Sequence, residues 1–277
     1  MSTYAFRIVN VFAESPLAGN PLCVFEDARG LDGATMQALA LQFNLSETTF
    51  VLPSTRATAH VRIFTPTFEM PFAGHPTLGT AHVVRAAATA GDAVTLEMKA
   101  GVIPVSAQGD VWTLEANAPR HRVHGAGTAD IAAMLKLTPA DVLDAALWVD
   151  TGSEQLIIPL ASFDAVRRAN PSAEALAANA SNGQRSMAYV FAREGSSVLA
   201  RFFFPKHGSV IEDPGTGSAC ANLGGWFKVI RPHTDIHRVV SQGDAVQRPS
   251  TLYLDVTQGA IHVGGDVIEL GRGGITL

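Results

Sequence analysis

Cysteine, charge and long apolar runs are all scarce in this sequence. Only two of the 277 residues are cysteine, Cys23 and Cys220, a usage that fits free thiols in a reducing compartment. No run approaches the roughly 18 apolar residues that suggest a membrane-spanning helix. The first part of the chain shows no basic region followed by the apolar core of a secretory signal. We therefore expect a cytoplasmic protein without a membrane partner.

Basic clusters and cofactor motifs are missing as well. Charged residues make up 16% of the chain and the net charge is −5, which argues against a nucleic-acid partner. His121 and His124 lie close together in sequence, but no Glu or Cys accompanies them and H-E-x-x-H is absent. The nearest approach to a dinucleotide fingerprint, Gly215-x-Gly217, has Cys220 where the third glycine belongs. We expect neither a metal nor a cofactor.

The chain contains an internal repeat. At 277 residues and 47% apolar composition it could form one large domain or two of ordinary size. The pattern R-x-F-x-P begins at Arg62 and again at Arg201, about half the chain later. Further on, His75-Pro76 corresponds to Asp213-Pro214 at almost the same spacing. Chance similarity is the alternative, because small residues follow both prolines, but the agreement of two separate segments favours two related halves.

Each half is predicted to present the start of a helix. In the first half, Gly74 interrupts an extended apolar segment, and Pro76 suits the first turn of a helix, where its missing N–H would be unpaired anyway. In the second half, a helix is predicted from about Pro214, with the amides of residues 215–217 at its start. Helix starts attract anions, so we expect two such ends to face one cleft and hold a carboxylate-bearing ligand. The alternative is an ordinary strand-to-helix turn.

Other segments carry local signals. Asp32 can cap a helix whose apolar residues recur at helical spacing, and Asn44 ends it. In the second half we predict a helix over 130–137 and another beginning at Thr138, before an N1 proline. Two separate short strands are predicted over 260–263 and 266–270, joined by a glycine turn. The polar segment 116–123 is predicted to be the crossover between domains, the alternative being a long surface loop.

Several motifs together resemble one family. They read A-G-N-P-L at 18–22, N-L-S-E-T-T-F at 44–50, F-A-G-H-P-T-L-G-T-A at 72–81 and E-D-P-G-T-G-S-A at 212–219. In this order the sequence resembles the PhzF-like family of phenazine-biosynthesis isomerases, which shares the diaminopimelate epimerase fold. The resemblance continues through Q-G-D-A-V-Q-R-P-S at 242–250 to V-G-G at 263–265, and so covers nearly the whole chain.

The resemblance implies a fold and a domain division. We expect an α/β (α+β) protein of two similar domains, each a curved mixed β-sheet wrapped around a central helix. The first domain would comprise residues 1–117 together with about 266–277, and would carry Glu47 and the G-H-P-T motif. The second would comprise residues 122–265 and carry the D-P-G-T-G-S motif.

The resemblance also implies site residues. Glu47 matches the family's general acid/base, and His75 and Asp213 would line the catalytic site with it. The residues expected to contact the substrate share the glycine-rich or polar motifs: Asn20, Gly74, Gly215, Thr216, Gly217 and Ser218. The implied function is cofactor-independent isomerisation of a small carboxylate-bearing ring or diene metabolite, in which a proton moves on one face of the substrate.

Alternatives remain for the site and for the function. From the residues alone, Glu47 could be a solvated carboxylate at a strand edge, and the equivalent place in the second half, near Met187, has no carboxylate. One rival function is an amino-acid epimerase of the two-cysteine type, but Cys23 and Cys220 lie outside the expected helix starts. The other rival is a catalytically silent small-molecule-binding protein.

We expect a homodimer, because the family resemblance implies one and closed two-fold dimers are the commonest oligomers. Light scattering at micromolar concentration should therefore give twice the monomer mass of 29.2 kDa. A measured mass of 29.2 kDa would contradict this expectation.

Overall fold

The computed structural model describes residues 1–88, 91–206 and 208–277, and these form a mixed α/β structure. The chain divides into two compact units. The first unit contains Met1–Glu115 and Gly264–Leu277, and the second contains Ala116–Val263. In the described part of the chain, no helix combines the length and apolar character that crossing a bilayer requires.

The first unit contains most of its strands before residue 117. Its elements are β1 (Thr3–Val11), β2 (Asn20–Phe25), α1 (Gly33–Phe43), β3 (Glu47–Leu52), β4 (Ala59–Phe64), β5 (Glu69–Met70), α2 (Gly74–Ala88), β6 (Ala93–Met98), β7 (Gly101–Gln108), β8 (Val111–Ala116) and the later part of β17 (Ala260–Thr276).

The strands of the first unit close into a ring of eight. Antiparallel pairs join β1 to β2, β3 to β4, β6 to β7, β7 to β8 and β17 to β1. Parallel pairs join β2 to β3 and β4 to β6, and β8 also pairs with β17. Helix α2 packs against β1, β2, β3 and β6. Its buried face includes Leu78, Ala81 and Val83, so the ring encloses the helix.

Helix α1 forms where its caps predict it. Asp32 accepts a hydrogen bond from the Thr35 amide at 2.7 Å, and Asn44 ends the helix in the left-handed conformation at φ 52°. Met36 and Leu39 are buried beneath it, in a cluster that includes the stacked rings of Phe25 and Phe50. The helix predicted from Asp32 to Asn44 is therefore confirmed.

The second unit has its own strands and central helix. Its elements are β9 (Arg120–Val123), α3 (Thr128–Leu135), β10 (Leu147–Asp150), β11 (Glu154–Pro159), α4 (Phe163–Arg168), α5 (Ala173–Asn179), β12 (Ala188–Glu194), β13 (Ser197–Lys206), β14 (Ser209–Asp213), α6 (Gly217–Ile230), β15 (Ile236–Gln242), β16 (Ser250–Thr257) and the start of β17.

The two units share one pattern of strand pairing. In the second unit, β10–β11 is antiparallel, β11–β12 parallel, β12–β13 antiparallel, β13–β15 parallel and β15–β16 antiparallel. This order reproduces β1–β2, β2–β3, β3–β4, β4–β6 and β6–β7 of the first unit. Helix α6 contacts β9, β10, β11, β15 and β16. The internal repeat predicted from the sequence is confirmed.

The repeated R-x-F-x-P segments make the same contacts in both units. Arg62 binds Glu69 through two hydrogen bonds of 2.8 and 3.0 Å, and its guanidinium lies over the ring of Phe64. Arg201 binds Glu212 in the same two-pronged way and lies over the ring of Phe203. The arginine of the motif therefore ties β4 to β5 and β13 to β14.

The crossover predicted over 116–123 begins where the two units divide, after Glu115, and its last residues form strand β9, which pairs with β10. Two other predicted local structures are wrong. The helix predicted from Thr138 is only a 3-10 turn over Pro139–Asp141, although Thr138 is its N-cap and the Asp141 carboxylate accepts hydrogen bonds from the Thr138 amide and hydroxyl. The glycine turn predicted near Gly264 is absent from the described β17, which continues through it; a Cβ there would lie 2.5 Å from Thr113 Oγ1.

Glycine allows both central helices to approach their strands closely. An added Cβ at Gly79 of α2 would lie 2.7 Å from Leu22 Cδ2, and one at Gly224 of α6 would lie 2.7 Å from Ile261 Cγ2. Such contacts are too short for packed carbon atoms, so the neighbouring strands would have to move.

We predict that Gly79→Ala and Gly224→Ala each lower the free energy of unfolding by about 1–3 kcal/mol, the usual effect of overpacking. In an exposed helix the same change would raise it by about 1 kcal/mol. Gly271→Ala is the matched control, because an added Cβ there meets open space. Urea unfolding of the three variants measures the differences, and a stabilised Gly79→Ala protein would show that the helix is not tightly enclosed.

Candidate functional site

Two predicted site residues of the first unit lie together. Glu47 is the first residue of β3 and pairs in parallel register with Leu22 of β2. His75 is the second residue of α2. His75 Nε2 lies 3.4 Å from Glu47 Oε2, and the two side chains are only 8% and 15% exposed. The carboxyl group therefore meets the imidazole at the start of the enclosed helix, in a nearly dry environment.

The imidazole of His75 is neutral. Burial lowers its pKa from 6.5 to about 3, opposed by a hydrogen bond to the backbone carbonyl of Pro21. A carbonyl only accepts, so the ring donates to it; Nε2 has no hydrogen-bond partner among the described residues, which makes the donor Nδ1–H. Nε2 then carries a lone pair. A neutral His75 forms no ion pair with Glu47, so the lone pair of Nε2 lies beside the carboxyl group.

The lowered pKa of His75 makes its stability contribution depend on pH. Between about pH 6.5 and pH 3, His75 is protonated in the unfolded chain but neutral in the folded protein. The contribution is therefore fully present above pH 6.5 and is lost as the pH falls toward 3. The buried imidazole disfavours the folded state only under acid conditions.

The A-G-N-P-L segment positions the imidazole. Gly19 has φ 73°, and a Cβ there would lie 2.5 Å from the Val11 carbonyl oxygen, so only glycine fits this turn. Asn20 follows at the start of β2, fully buried and opposite Val11. Pro21 comes next and supplies the carbonyl that binds His75. Asn20 thus lies one residue from a direct contact to the imidazole, and the sequence alone did not predict that Pro21 makes this contact.

In the second unit, a buried amide holds the start of α6. Asp213 ends β14, and the Thr216 hydroxyl donates to Asp213 Oδ2. Gln242 Nε2 lies 2.8 Å from the Asp213 carbonyl oxygen and 3.0 Å from Thr216 Oγ1, and Gln242 Oε1 accepts from the Thr216 amide at 3.3 Å. The amides of Gly215, Thr216 and Gly217 were predicted to be open to an anion. The Thr216 amide instead donates to the side chain of Gln242. This part of the prediction is wrong.

Ser218 belongs to a second network of buried amides. Its Oγ accepts a hydrogen bond from Gln155 Nε2 at 3.0 Å, and Asn222 Nδ2 donates to Gln155 Oε1 at 2.8 Å. Asn222 Oδ1 in turn accepts from the amide and hydroxyl of Thr151. Gln155, Asn222 and Gln242 were not identified from the sequence as site residues. The sequence signal that could have indicated these residues is an amide side chain within an otherwise apolar strand or helix.

The carboxylate of Glu47 has no counterpart in the second unit. Thr48 pairs with Phe64 in the first unit, and Ala188 pairs with Phe203 at the equivalent place in the second. The preceding residue, Met187, therefore takes the position of Glu47, and it is buried. The asymmetry expected from the sequence follows directly from the strand registers.

The two cysteines are fully buried, which disfavours ionisation of their thiols. Cys23 lies in β2 and Cys220 in α6, both without a disulfide. Burial raises the pKa of both thiols well above the ordinary value. A thiol must ionise to act as a base, so neither cysteine suits the two-thiol epimerase chemistry.

Known proteins are similar to this chain in sequence and in fold. The family described as phenazine biosynthesis-like protein matches residues 9–269, and the chain belongs to it. An uncharacterized isomerase of Pasteurella multocida is 38% identical over 99% of this chain and 94% of its own. The trans-2,3-dihydro-3-hydroxyanthranilate isomerase of Pseudomonas fluorescens is 34% identical over 98% of this chain and 99% of its own. The crystal structure of a PhzF-family phenazine biosynthesis protein of Bacillus anthracis superposes with a TM-score of 0.88 at 23% identity, over 100% of both chains. The predicted fold class is confirmed.

We predict that both thiols resist a chromogenic disulfide reagent in the native protein near neutral pH, because each is buried and protonated. Both should react after unfolding in guanidinium chloride. Ser196→Cys, at an exposed turn, provides a thiol that reacts at once and serves as the positive control. Rapid reaction of the unmodified native protein would return the thiol-based epimerase to consideration.

Proposed function

Because the chain belongs to the phenazine biosynthesis-like family of isomerases, we propose that it isomerises a small carboxylate-bearing metabolite by moving one proton without a cofactor. The observation that supports this reaction is the buried contact between Glu47 and the neutral imidazole of His75. Such a carboxyl group has an acceptor beside it and little water around it, as proton transfer to carbon requires.

In the proposed reaction, Glu47 both removes and returns the proton. The carboxylate of Glu47 takes a proton from one carbon of the substrate, and the electron pair of that C–H bond passes into the conjugated system of the substrate. The carboxylic acid so formed lies beside the Nε2 lone pair of His75, which can accept its hydrogen bond. The same group then delivers the proton to a second carbon. A single acid/base acts on one face of the substrate, and no net proton is consumed.

We propose that the helix starts stabilise the negative charge on the substrate. The first amides of α2, from Gly74 onward, lie beside the Glu47–His75 pair and point toward the N-terminal end of the helix. In the second unit, Asp213 and Ser218 are proposed to make polar contacts with the substrate, and the amides of Gly215 and Gly217 are proposed to receive its carboxylate. These donors would stabilise the charge that develops when the proton leaves carbon.

The substrate class is proposed from a relative. The Pseudomonas fluorescens protein is named for trans-2,3-dihydro-3-hydroxyanthranilate, a ring compound with a carboxylate. We propose a compound of this class, a cyclic or dienic carboxylate, for this chain. The named compound is the first to assay.

We predict that Glu47→Gln lowers turnover by roughly 10²–10⁴-fold, the usual contribution of a positioned acid/base. Glutamine keeps the shape of the side chain and can donate to His75 Nε2, so ligand binding and the melting temperature should change little. The assay is deuterium incorporation from D₂O into trans-2,3-dihydro-3-hydroxyanthranilate, followed by mass spectrometry.

Glu194→Gln is the matched control, since Glu194 is an exposed carboxylate at the end of β12. It should exchange deuterium at the wild-type rate. Equal rates for wild type and Glu47→Gln would remove Glu47 from the mechanism. The wild type could fail to exchange deuterium into this compound but exchange it into another cyclic carboxylate. That result would change the proposed substrate and would leave the proposed proton transfer unchanged.

A further inference from the structure

The fully buried side chain of Gln242 forms hydrogen bonds with the loop that carries Asp213. Its Nε2 lies 2.8 Å from the Asp213 carbonyl oxygen and 3.0 Å from Thr216 Oγ1, and its Oε1 lies 3.3 Å from the Thr216 amide nitrogen. A backbone carbonyl only accepts and a backbone amide only donates. The amide group of Gln242 can therefore adopt only this orientation.

That orientation dictates where the hydroxyl proton of Thr216 goes. Gln242 Nε2 has two hydrogens and no lone pair to offer, so Thr216 Oγ1 must accept from it. The single hydroxyl proton of Thr216 is then directed to its other partner, Asp213 Oδ2. Asp213 Oδ2 therefore accepts a hydrogen bond from this hydroxyl. The chain of donors runs in one direction, from Gln242 through Thr216 to Asp213.

The backbone beside Gln242 holds the amide in place. Gly243 has φ 86°, and a Cβ there would lie 2.5 Å from the Pro214 carbonyl oxygen and 2.2 Å from the Arg248 carbonyl oxygen. Only glycine allows this close approach. The end of β15 therefore lies against the Asp213–Thr216 loop, next to Gln242.

The first unit lacks this amide at the equivalent place. Leu96 pairs with Ala59 in the parallel register of β4 and β6, as Val240 pairs with Val198 in that of β13 and β15. Two positions further along each strand, Met98 therefore corresponds to Gln242. Its sulfur lies 3.6 Å from Thr77 Oγ1, whose proton goes instead to a backbone carbonyl at 2.6 Å. The unit whose helix starts beside neutral His75 has a thioether here, and the unit with Asp213 has an amide.

We propose that Gln242 is a positioning residue for Asp213, acting through the hydroxyl of Thr216. It holds Asp213 Oδ2 as a hydrogen-bond acceptor and fixes the orientation of the carboxylate for the substrate. This role rests on the proposed function, in which Asp213 contacts the substrate.

Neutron diffraction from crystals of the perdeuterated protein tests the direction of the chain without a substrate. We expect one deuterium on Thr216 Oγ1 that points to Asp213 Oδ2, and two on Gln242 Nε2 that point to Thr216 Oγ1 and the Asp213 carbonyl. A deuterium bound to Asp213 Oδ2, or a Gln242 amide in the opposite orientation, would overturn the proposal.

Kinetics test the consequence for turnover, with the compound that incorporates deuterium in the assay above. We expect Gln242→Met to lower kcat by about 10²-fold, the effect of misplacing a reacting group, with KM little changed. Ser241→Ala, at the exposed neighbouring position, is the control and should match the wild type. In a Thr216→Val background, Gln242→Met should cause little further loss, because the two residues act through one hydroxyl.

The outcomes separate this proposal from the proposed function. If Asp213→Asn leaves kcat unchanged, Asp213 has no part in the reaction and the proposed function is revised at that residue. If Asp213→Asn abolishes turnover but Gln242→Met does not lower kcat, the positioning role is wrong and the proposed function stands. Losses that multiply in the double variant, together with a lowered melting temperature, would mean that Gln242 only supports the loop and would also overturn the proposal.

Discussion

Enclosure of a helix by strands is the constraint on which each unit depends. Helix α2 has Leu78 and Ala81 buried against surrounding strands, and at Gly79 no room remains for a single added carbon. A helix held this tightly cannot slide or rotate, so its first turn has one position relative to the strand ends around it. That is why His75 on the helix and Glu47 on a strand can be held at a fixed distance although two strands, β4 and β5, separate them along the chain.

The two units have the same strand pairing but carry different polar side chains at equivalent positions. At the start of β3 the first unit has Glu47 where the second has Met187, and at the end of β15 the second has Gln242 where the first has Met98. Each polar residue thus corresponds to a methionine in the other unit. Methionine fills space without adding charge or a strong hydrogen bond. A duplicated framework can in this way acquire different chemistry in each half while its strand pairing stays the same.

Much of the framework could be predicted because its signals are local or repeated. The cap at Asp32 and each of the paired R-x-F-x-P segments are visible in a short window of sequence, and family motifs predicted Glu47 and His75 as site residues. The role of each glycine was harder to predict, because glycine occurs both in turns and where two packed segments approach each other closely. Gly264 looks like a turn in sequence, whereas it lies in a strand that passes against Thr113. The partners of the site residues could not be predicted. Pro21 contributes a backbone carbonyl, which every residue has, and Gln242 contacts Asp213 only once distant strands have paired.

The last strand has a consequence for how the protein is made. The end of β17, from Gly264 onward, belongs to the first unit, where it pairs with β1 near the beginning of the chain. During synthesis, the whole of the second unit, Ala116–Val263, leaves the ribosome before this strand does. The ring of the first unit therefore stays open, with a pairing edge of β1 uncovered, until this strand has been made. The unit that is begun first can close only after the chain of the second unit has been made.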